Sequence, residues 1–205
     1  MSSLPSALLV FVRAPEAGRV KTRLAAQVGD DAALRVYVRL AEHALAEARA
    51  SGADVRVHYT PADAGEAVRS WLGPAADYLP QAEGGLGERL RRAFEEAFTA
   101  GYGRVVVVGS DLPGLSAGAL RRAMGLLDAH GAVLGPAADG GYWLLGLRAP
   151  VEGVFEEIPW STGEVLARTV ERLRAAGIEP AMLETLADVD EAADLPPGWR
   201  EWADG

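Results

Sequence analysis

The chain of 205 residues is 49% hydrophobic and 24% charged, carries a formal net charge of −9 and has no cysteine. That length fits one domain with a sizeable core. The acidic balance disfavours broad nucleic-acid binding, and the missing thiols exclude disulfides, zinc–thiolate sites and cysteine nucleophiles. No apolar run is long enough to span a bilayer, and the opening Met1–Pro5 has no positively charged n-region. One cytoplasmic domain over 1–205, with no membrane or nucleic-acid partner, is therefore the expectation.

Ala7–Val12 reads as a strand apolar on both faces, as in the centre of a parallel sheet. A loop over 13–18 follows. Helical patterning then runs from about Val20 to Ala50, broken near Gly29, with Leu34, Tyr37, Val38, Ala41, Ala44 and Leu45 on one apolar stripe. Val55–Tyr59 alternates like a second strand, Ala64–Leu72 suggests a short helix, and Tyr78 and Leu79 a short strand. Leu86, Leu90, Ala93, Phe94, Ala97 and Phe98 form a further helical stripe, and Val105–Val108 is a buried strand of four valines. Ser116 is placed to cap a helix reaching about Asp128, with Gly131 to end it and His130 where a cation suits the helix dipole. Ala132–Leu134 and Tyr142–Leu147 are two more strands joined across Asp139–Gly141. A helix opens at Ser161–Glu164, Met182 and Leu183 form a last strand, and the tail from Pro196 is expected to be loosely ordered. This alternation predicts an α/β domain with a mostly parallel sheet. Ligands of such sheets sit at the carboxyl ends of strands, near a switch in strand order.

Three segments directly follow strands. The first, Arg13-Ala-Pro-Glu-Ala-Gly18 and on to Arg23, gathers Arg13, Arg19, Lys21 and Arg23 against one acid, Glu16. Lys21 is the only lysine of the chain; the other 19 basic residues are arginine. Cations at a helix start oppose the helix dipole and call for an anion, so the segment, with Ala14 and Gly18 allowing close backbone approach, reads as a phosphate-binding loop. Its alternative is a solvated basic turn. The second segment ends in Asp111, a ligand for Mg²⁺ or Mn²⁺ or a turn aspartate bonding its own backbone. The third contains Asp139, Gly140, Gly141 and Tyr142. Here a hairpin turn competes with a site in which Asp139 is a base for an acceptor.

Three weaker candidates lie elsewhere. Gln81 and Gly87 bound a glycine-rich loop that could wrap a nucleotide. Ser161 and Glu164 have capping-box spacing, with Trp160 and Val165 spaced as a hydrophobic staple; the minority reading makes Trp160 a stacking platform. Asp188 or Asp190 could add a second metal carboxylate, although a helix cap with exposed acids also explains them. His43, His58 and His130 show no ligand spacing.

In this order, Gly18-Arg-Val-Lys-Thr-Arg-Leu24, Leu86-Gly-Glu-Arg89, Gly109-Ser-Asp-Leu-Pro113, Leu134-Gly-Pro-Ala137, Asp139-Gly-Gly-Tyr142, Pro159-Trp-Ser-Thr162 and Asp188-Val-Asp190 resemble the radical-SAM/selenodomain-associated transferase family, glycosyltransferase-like and linked to arsenosugar biosynthesis. The resemblance implies a nucleotide-diphospho-sugar transferase fold of the GT-A type, a Rossmann-like sheet with one reversed strand and helices on both faces. It further implies a donor nucleotide at the first loop and a metal at Asp111. The chain departs from the pattern twice: Arg13-Ala-Pro-Glu-Ala-Gly18 replaces a Lys-x-Pro-x-Pro-Gly opening, and Gly109 stands where many GT-A enzymes have the first acid of Asp-x-Asp. The opening also resembles 2-phospho-lactate guanylyltransferases and, more distantly, molybdenum-cofactor guanylyltransferases.

The resulting expectation is metal-dependent transfer of a sugar from a nucleotide-diphosphate donor to a small acceptor. Lys21, Asp111 and Asp139 are its catalytic residues, and Gly140, Gly141, Tyr142 and Trp160 lie at the acceptor. Nucleotidyl transfer from a nucleoside triphosphate, releasing pyrophosphate, is the first alternative. A non-catalytic nucleotide-sugar-binding protein is the second.

Overall fold

A computed structural model describes residues 5–74 and 77–199. The expectations for the first four residues, and for the tail beyond Trp199, lie outside them. One sheet of seven strands organises the molecule, in the order β3-β2-β1-β4-β6-β5-β7. Its centre is β1 (Ser6–Arg13), paired in parallel with β2 (Asp54–Thr60) and with β4 (Arg104–Val108); β2 pairs in parallel with β3 (Asp77–Pro80). Beyond β4 the single reversed strand β6 (Tyr142–Leu147) runs antiparallel to both β4 and β5 (Ala132–Pro136), and β7 (Ala181–Met182) returns parallel to β5.

Side-chain alternation distributes the core. Leu8, Val10 and Val12 of β1 and Val106 and Val108 of β4 face α2 (Asp30–Ala50), α3 (Gly65–Leu72) and α5 (Ala117–Leu126). Ala7, Leu9, Val105 and Val107 face α4 (Leu86–Thr99) and α6 (Val165–Ala175). Because both faces are covered, the strands read as continuous apolar runs. The short α1 (Thr22–Val28) lies outside this sandwich, against the start of α2. From β1 the chain goes one way to β2 and β3, and from β4 the other way, so the strand order switches between β1 and β4. Their carboxyl ends open one crevice.

Several local expectations are corrected. Ser116 caps α5, its hydroxyl accepting from the Ala119 N–H at 3.2 Å, but the helix ends at Leu126 rather than near Asp128. Its last carbonyls are satisfied by tightened turns, Asp128 N–H to Gly125 O and Ala129 N–H to Leu126 O, both 3.1 Å. Gly131 is left to lead into β5. The capping box of Ser161 and Glu164 does not form, and Glu164 precedes α6 without a side-chain cap. Ser161 is left-handed, φ 65°. The Thr162 hydroxyl serves the local backbone instead, donating to Pro159 O at 2.7 Å and accepting from the Glu164 N–H at 3.3 Å. The last strand falls one residue early, at Ala181–Met182, although the Leu183 N–H still donates to Leu134 O at 2.8 Å. The described part of the tail is packed: the Arg39 guanidinium lies 4.4 Å from the Trp199 ring centroid.

Candidate active site

The crevice begins where β1 ends. The Tyr37 hydroxyl, on α2, accepts from the Arg13 N–H and donates to the Arg13 carbonyl, both at 2.7 Å, and so fixes the strand exit. The loop then folds back: the Arg13 guanidinium donates to the Arg19 carbonyl at 2.8 Å, and Gly18 takes φ 74°. Lys21 caps α1 in a left-handed conformation, φ 46°, which a residue with a Cβ adopts only under constraint. The constraint is visible. Its side chain, 7% exposed, crosses to the end of β4, where the ammonium donates to Asp111 at 2.9 Å and to Asp190 at 3.3 Å. Arg23 reaches the other oxygen of Asp190 at 3.1 Å, and Arg19 pairs with Glu16 at 3.0 Å. The anion that the basic loop calls for is thus supplied within the chain. Burial by itself would depress the Lys21 pKa, but the charge and hydrogen bond of Asp111, and then those of Asp190, more than offset it and raise it.

Asp188 and Asp190 arrive from a distant segment. Between them Val189 is fully buried against Leu24, Val36 and Leu40, and its N–H donates to the Asp111 carbonyl at 3.2 Å. This apolar plug leaves the flanking aspartates beside Asp111. One carboxylate oxygen from each of Asp111, Asp188 and Asp190 lies within 4.8 Å of the others. Burial, then the negative charge of Asp111, raises the Asp188 pKa. Three carboxylates suit a hard divalent cation, and the Lys21 ammonium already stands in for positive charge on two of them. The acid missing at Gly109 is therefore made good from the far end of the chain. The helix-cap role considered for Asp188 and Asp190 falls to Glu191 and Asp194, which close a capping box on each other.

Asp139 serves the hairpin, its carboxylate accepting from the Gly141 N–H at 2.9 Å. Gly140 has φ 87°, and a Cβ there would collide with the Gly163 carbonyl, so the turn docks against 161–163. Leu166 N–H to Gly140 O, 2.9 Å, secures the contact.

Two cavities meet at these carboxylates. The first, about 610 Å³, is lined by Arg13, Arg19, Lys21 and Arg23 on one side and by Asp111, Asp139 and Asp190 on the other. The second, about 430 Å³, shares Asp111, Asp139 and Asp190 and adds Asp188, Gly141, Tyr142 and Trp160. Trp160 and Tyr142 meet edge to face, centroids 6.4 Å apart.

Ala14, Gly18, Gln81, Gly87 and Gly140 line neither cavity. The Ala14 N–H is spent on Thr60 O at 2.8 Å. The Gln81 amide donates to Val12 O at 3.2 Å and His58 O at 2.9 Å, tying strand ends together rather than presenting donors to a base. Gly87 is a packing glycine: a Cβ there would lie 2.7 Å from the Trp160 indole nitrogen. Sequence reasoning missed Tyr37, hidden in an apolar helical stripe. It also missed Ser161 and Thr162, which line both cavities and showed only a capping signal.

Among the described residues no helix is long and apolar enough to cross a membrane. No curated protein sequence matches the chain. A crystal structure from Desulfovibrio desulfuricans G20, provisionally assigned as a nucleotide-diphospho-sugar transferase, is 36% identical, with a TM-score of 0.88 over 98% of this chain and 91% of that one. Rv0371c from Mycobacterium tuberculosis H37Rv, in complex with manganese, is 19% identical with a TM-score of 0.56 over 100% of both chains. The CMP:2-keto-3-deoxy-manno-octonic acid synthetase complexed with CTP is 15% identical with a TM-score of 0.59, over 97% of this chain and 98% of that one. These last two likenesses show the fold alone. The model of a family described as uncharacterized protein conserved in bacteria, DUF2064, matches residues 40–162, a stretch that runs from α2 through Asp111 and Asp139 to Thr162. Together with the Desulfovibrio likeness, this makes the chain a member of that bacterial family, on the nucleotide-diphospho-sugar transferase fold.

Proposed function

We propose that the protein transfers a sugar from a nucleotide-diphosphate donor to a small acceptor, with a divalent cation, Mg²⁺ or Mn²⁺. The observation that carries this reading is the meeting of Lys21 with Asp111 and Asp190, beside Asp188, at the strand switch point. The basic chamber suits a diphosphate, with Lys21 and the arginines at 13, 19 and 23 around it. Asp111, Asp188 and Asp190 would hold the cation, which supplies Lewis-acid neutralisation of the departing diphosphate. Asp139, at the junction of the chambers, takes the proton of the acceptor hydroxyl as the bond from sugar carbon to phosphate oxygen breaks and the new glycosidic bond forms. The sequence resemblance to the radical-SAM/selenodomain-associated transferases supports sugar rather than nucleotide as the group moved. In this reading the chain works as one cytoplasmic domain.

Nucleotidyl transfer is the second reading, favoured by the likeness to the CTP-bound synthetase, and the same cations and acids would serve it. Incubating the protein with nucleotide sugars and nucleoside triphosphates, in Mn²⁺ or chelator, separates the two. Nucleoside diphosphate release is expected, whereas pyrophosphate release would select the second reading. Asp111→Asn and Lys21→Ala are each expected to lose turnover at least about a hundredfold while the fold is kept. Full activity in either would remove the mechanism.

A further inference from the structure

We infer that the second chamber takes an uncharged acceptor alcohol with an apolar face and turns away phosphorylated or carboxylated acceptors; this deepens the transferase reading above and rests on it. The two chambers differ in charge. The first carries four cations, whereas no Lys, Arg or His lines the second. One wall of the second chamber is Phe11, Leu86, Leu90, Tyr142 and Trp160; the other is the four carboxylates of Asp111, Asp139, Asp188 and Asp190. Set against a divalent cation, the Lys21 ammonium and the Arg23 guanidinium that pairs with Asp190, the four carboxylates leave this junction no surplus positive charge, and a donor diphosphate then makes it negative. A phosphate or carboxylate on the acceptor would bring further negative charge into a cleft lined by no cationic side chain, where only neutral donors such as the Tyr142 and Ser161 hydroxyls could meet it, and both desolvation and repulsion oppose that. A hydroxyl needs only an acceptor for its proton, and carboxylates provide it.

The apolar wall is preformed. Gly87 leaves space for the Trp160 indole, and Tyr142 meets that ring edge on. At the rim, Leu86 is 46% exposed, one of two large hydrophobic residues so exposed among the described residues. Leu86 thus carries the apolar wall of Phe11, Leu90, Tyr142 and Trp160 out to the mouth of the chamber. Transfer onto an acceptor phosphate would have to place that phosphate in this chamber, so the lining also favours a hydroxyl as the attacking group.

The test uses two matched probes, phenyl β-D-glucoside and phenyl phosphate, titrated by ligand-observed NMR into the protein with Mn²⁺ and a nucleoside diphosphate. The glucoside is expected to bind at least about tenfold more tightly. Leu86→Arg, checked for an unchanged melting temperature, is expected to narrow that gap by strengthening phenyl phosphate binding. Equal or tighter binding of phenyl phosphate by the wild type, no saturable binding of either probe, or a gap that Leu86→Arg leaves unmoved would overturn the assignment. The nucleotide-induced thermal shift is read on the same samples. Its loss with the probe preference intact strikes the donor reading and leaves this one standing.

Discussion

Replacing Lys21 by methionine tests whether the ammonium occupies, in the free protein, the charge position that a metal takes on binding. Methionine keeps much of the buried stem and removes the charge. The ammonium bridges Asp111 at 2.9 Å and Asp190 at 3.3 Å, and those carboxylates are 37% and 42% exposed. Water therefore screens both pairs, and each is worth about 1 kcal/mol rather than the larger value of a dry pair. Without the lysine, Asp111 and Asp190 repel each other beside Asp188, so the variant loses about 1–2 kcal/mol of stability. The same two pairs no longer compete with a divalent cation. Mn²⁺ binding to the nucleotide-free variant is thus expected to tighten by about 2 kcal/mol, roughly thirtyfold, while turnover with donor falls because the phosphates lose a cation. Calorimetric or electron-paramagnetic-resonance titration of Mn²⁺ against wild type and variant, without nucleotide, reads this directly. Weaker or unchanged Mn²⁺ affinity in Lys21→Met would refute the competition argument.

His58 makes stability pH-dependent. Burial, and then the nearby Arg56 charge, push its pKa from 6.5 down to about 4, and its Nε2 has no hydrogen-bond partner. The unfolded chain therefore binds the proton first. The contribution is fully present above the unfolded pKa and is lost as pH falls through the folded one, about 3 kcal/mol in all. His58→Phe is expected to flatten denaturant midpoints between these pH values, and a slope equal to wild type would contradict the assignment. Gly87→Ala would drive a methyl group into the Trp160 indole, with the Phe155 carbonyl 3.0 Å away on another side. A loss of about 1–3 kcal/mol is expected by thermal denaturation, together with weaker phenyl β-D-glucoside binding; an unchanged melting temperature would show that Trp160 moves freely.

The sequence by itself determined the α/β architecture and marked Lys21, Asp111 and Asp139 as candidates for the crevice. Burial of β1 and β4 on both faces is written as uninterrupted Leu and Val, and α2 and α4 as stripes at helical spacing, because these periods are local consequences of backbone geometry. Lys21, Asp111 and Asp139 stand out for the same local reason, each following a strand where such sheets leave a crevice. Tertiary structure alone decided which of these groups meet. Nothing near Asp188 announces that Val189 will plug the core between α1 and α2 and set two aspartates beside Asp111. Nothing near Tyr37 shows that its hydroxyl will hold the end of β1. Nor does the 161–164 segment show that docking against the Gly140 turn will accompany a left-handed Ser161 instead of a capping box. Contacts between residues far apart in the chain depend on how sheet order and helix packing close in space, and local patterning carries no record of that distance.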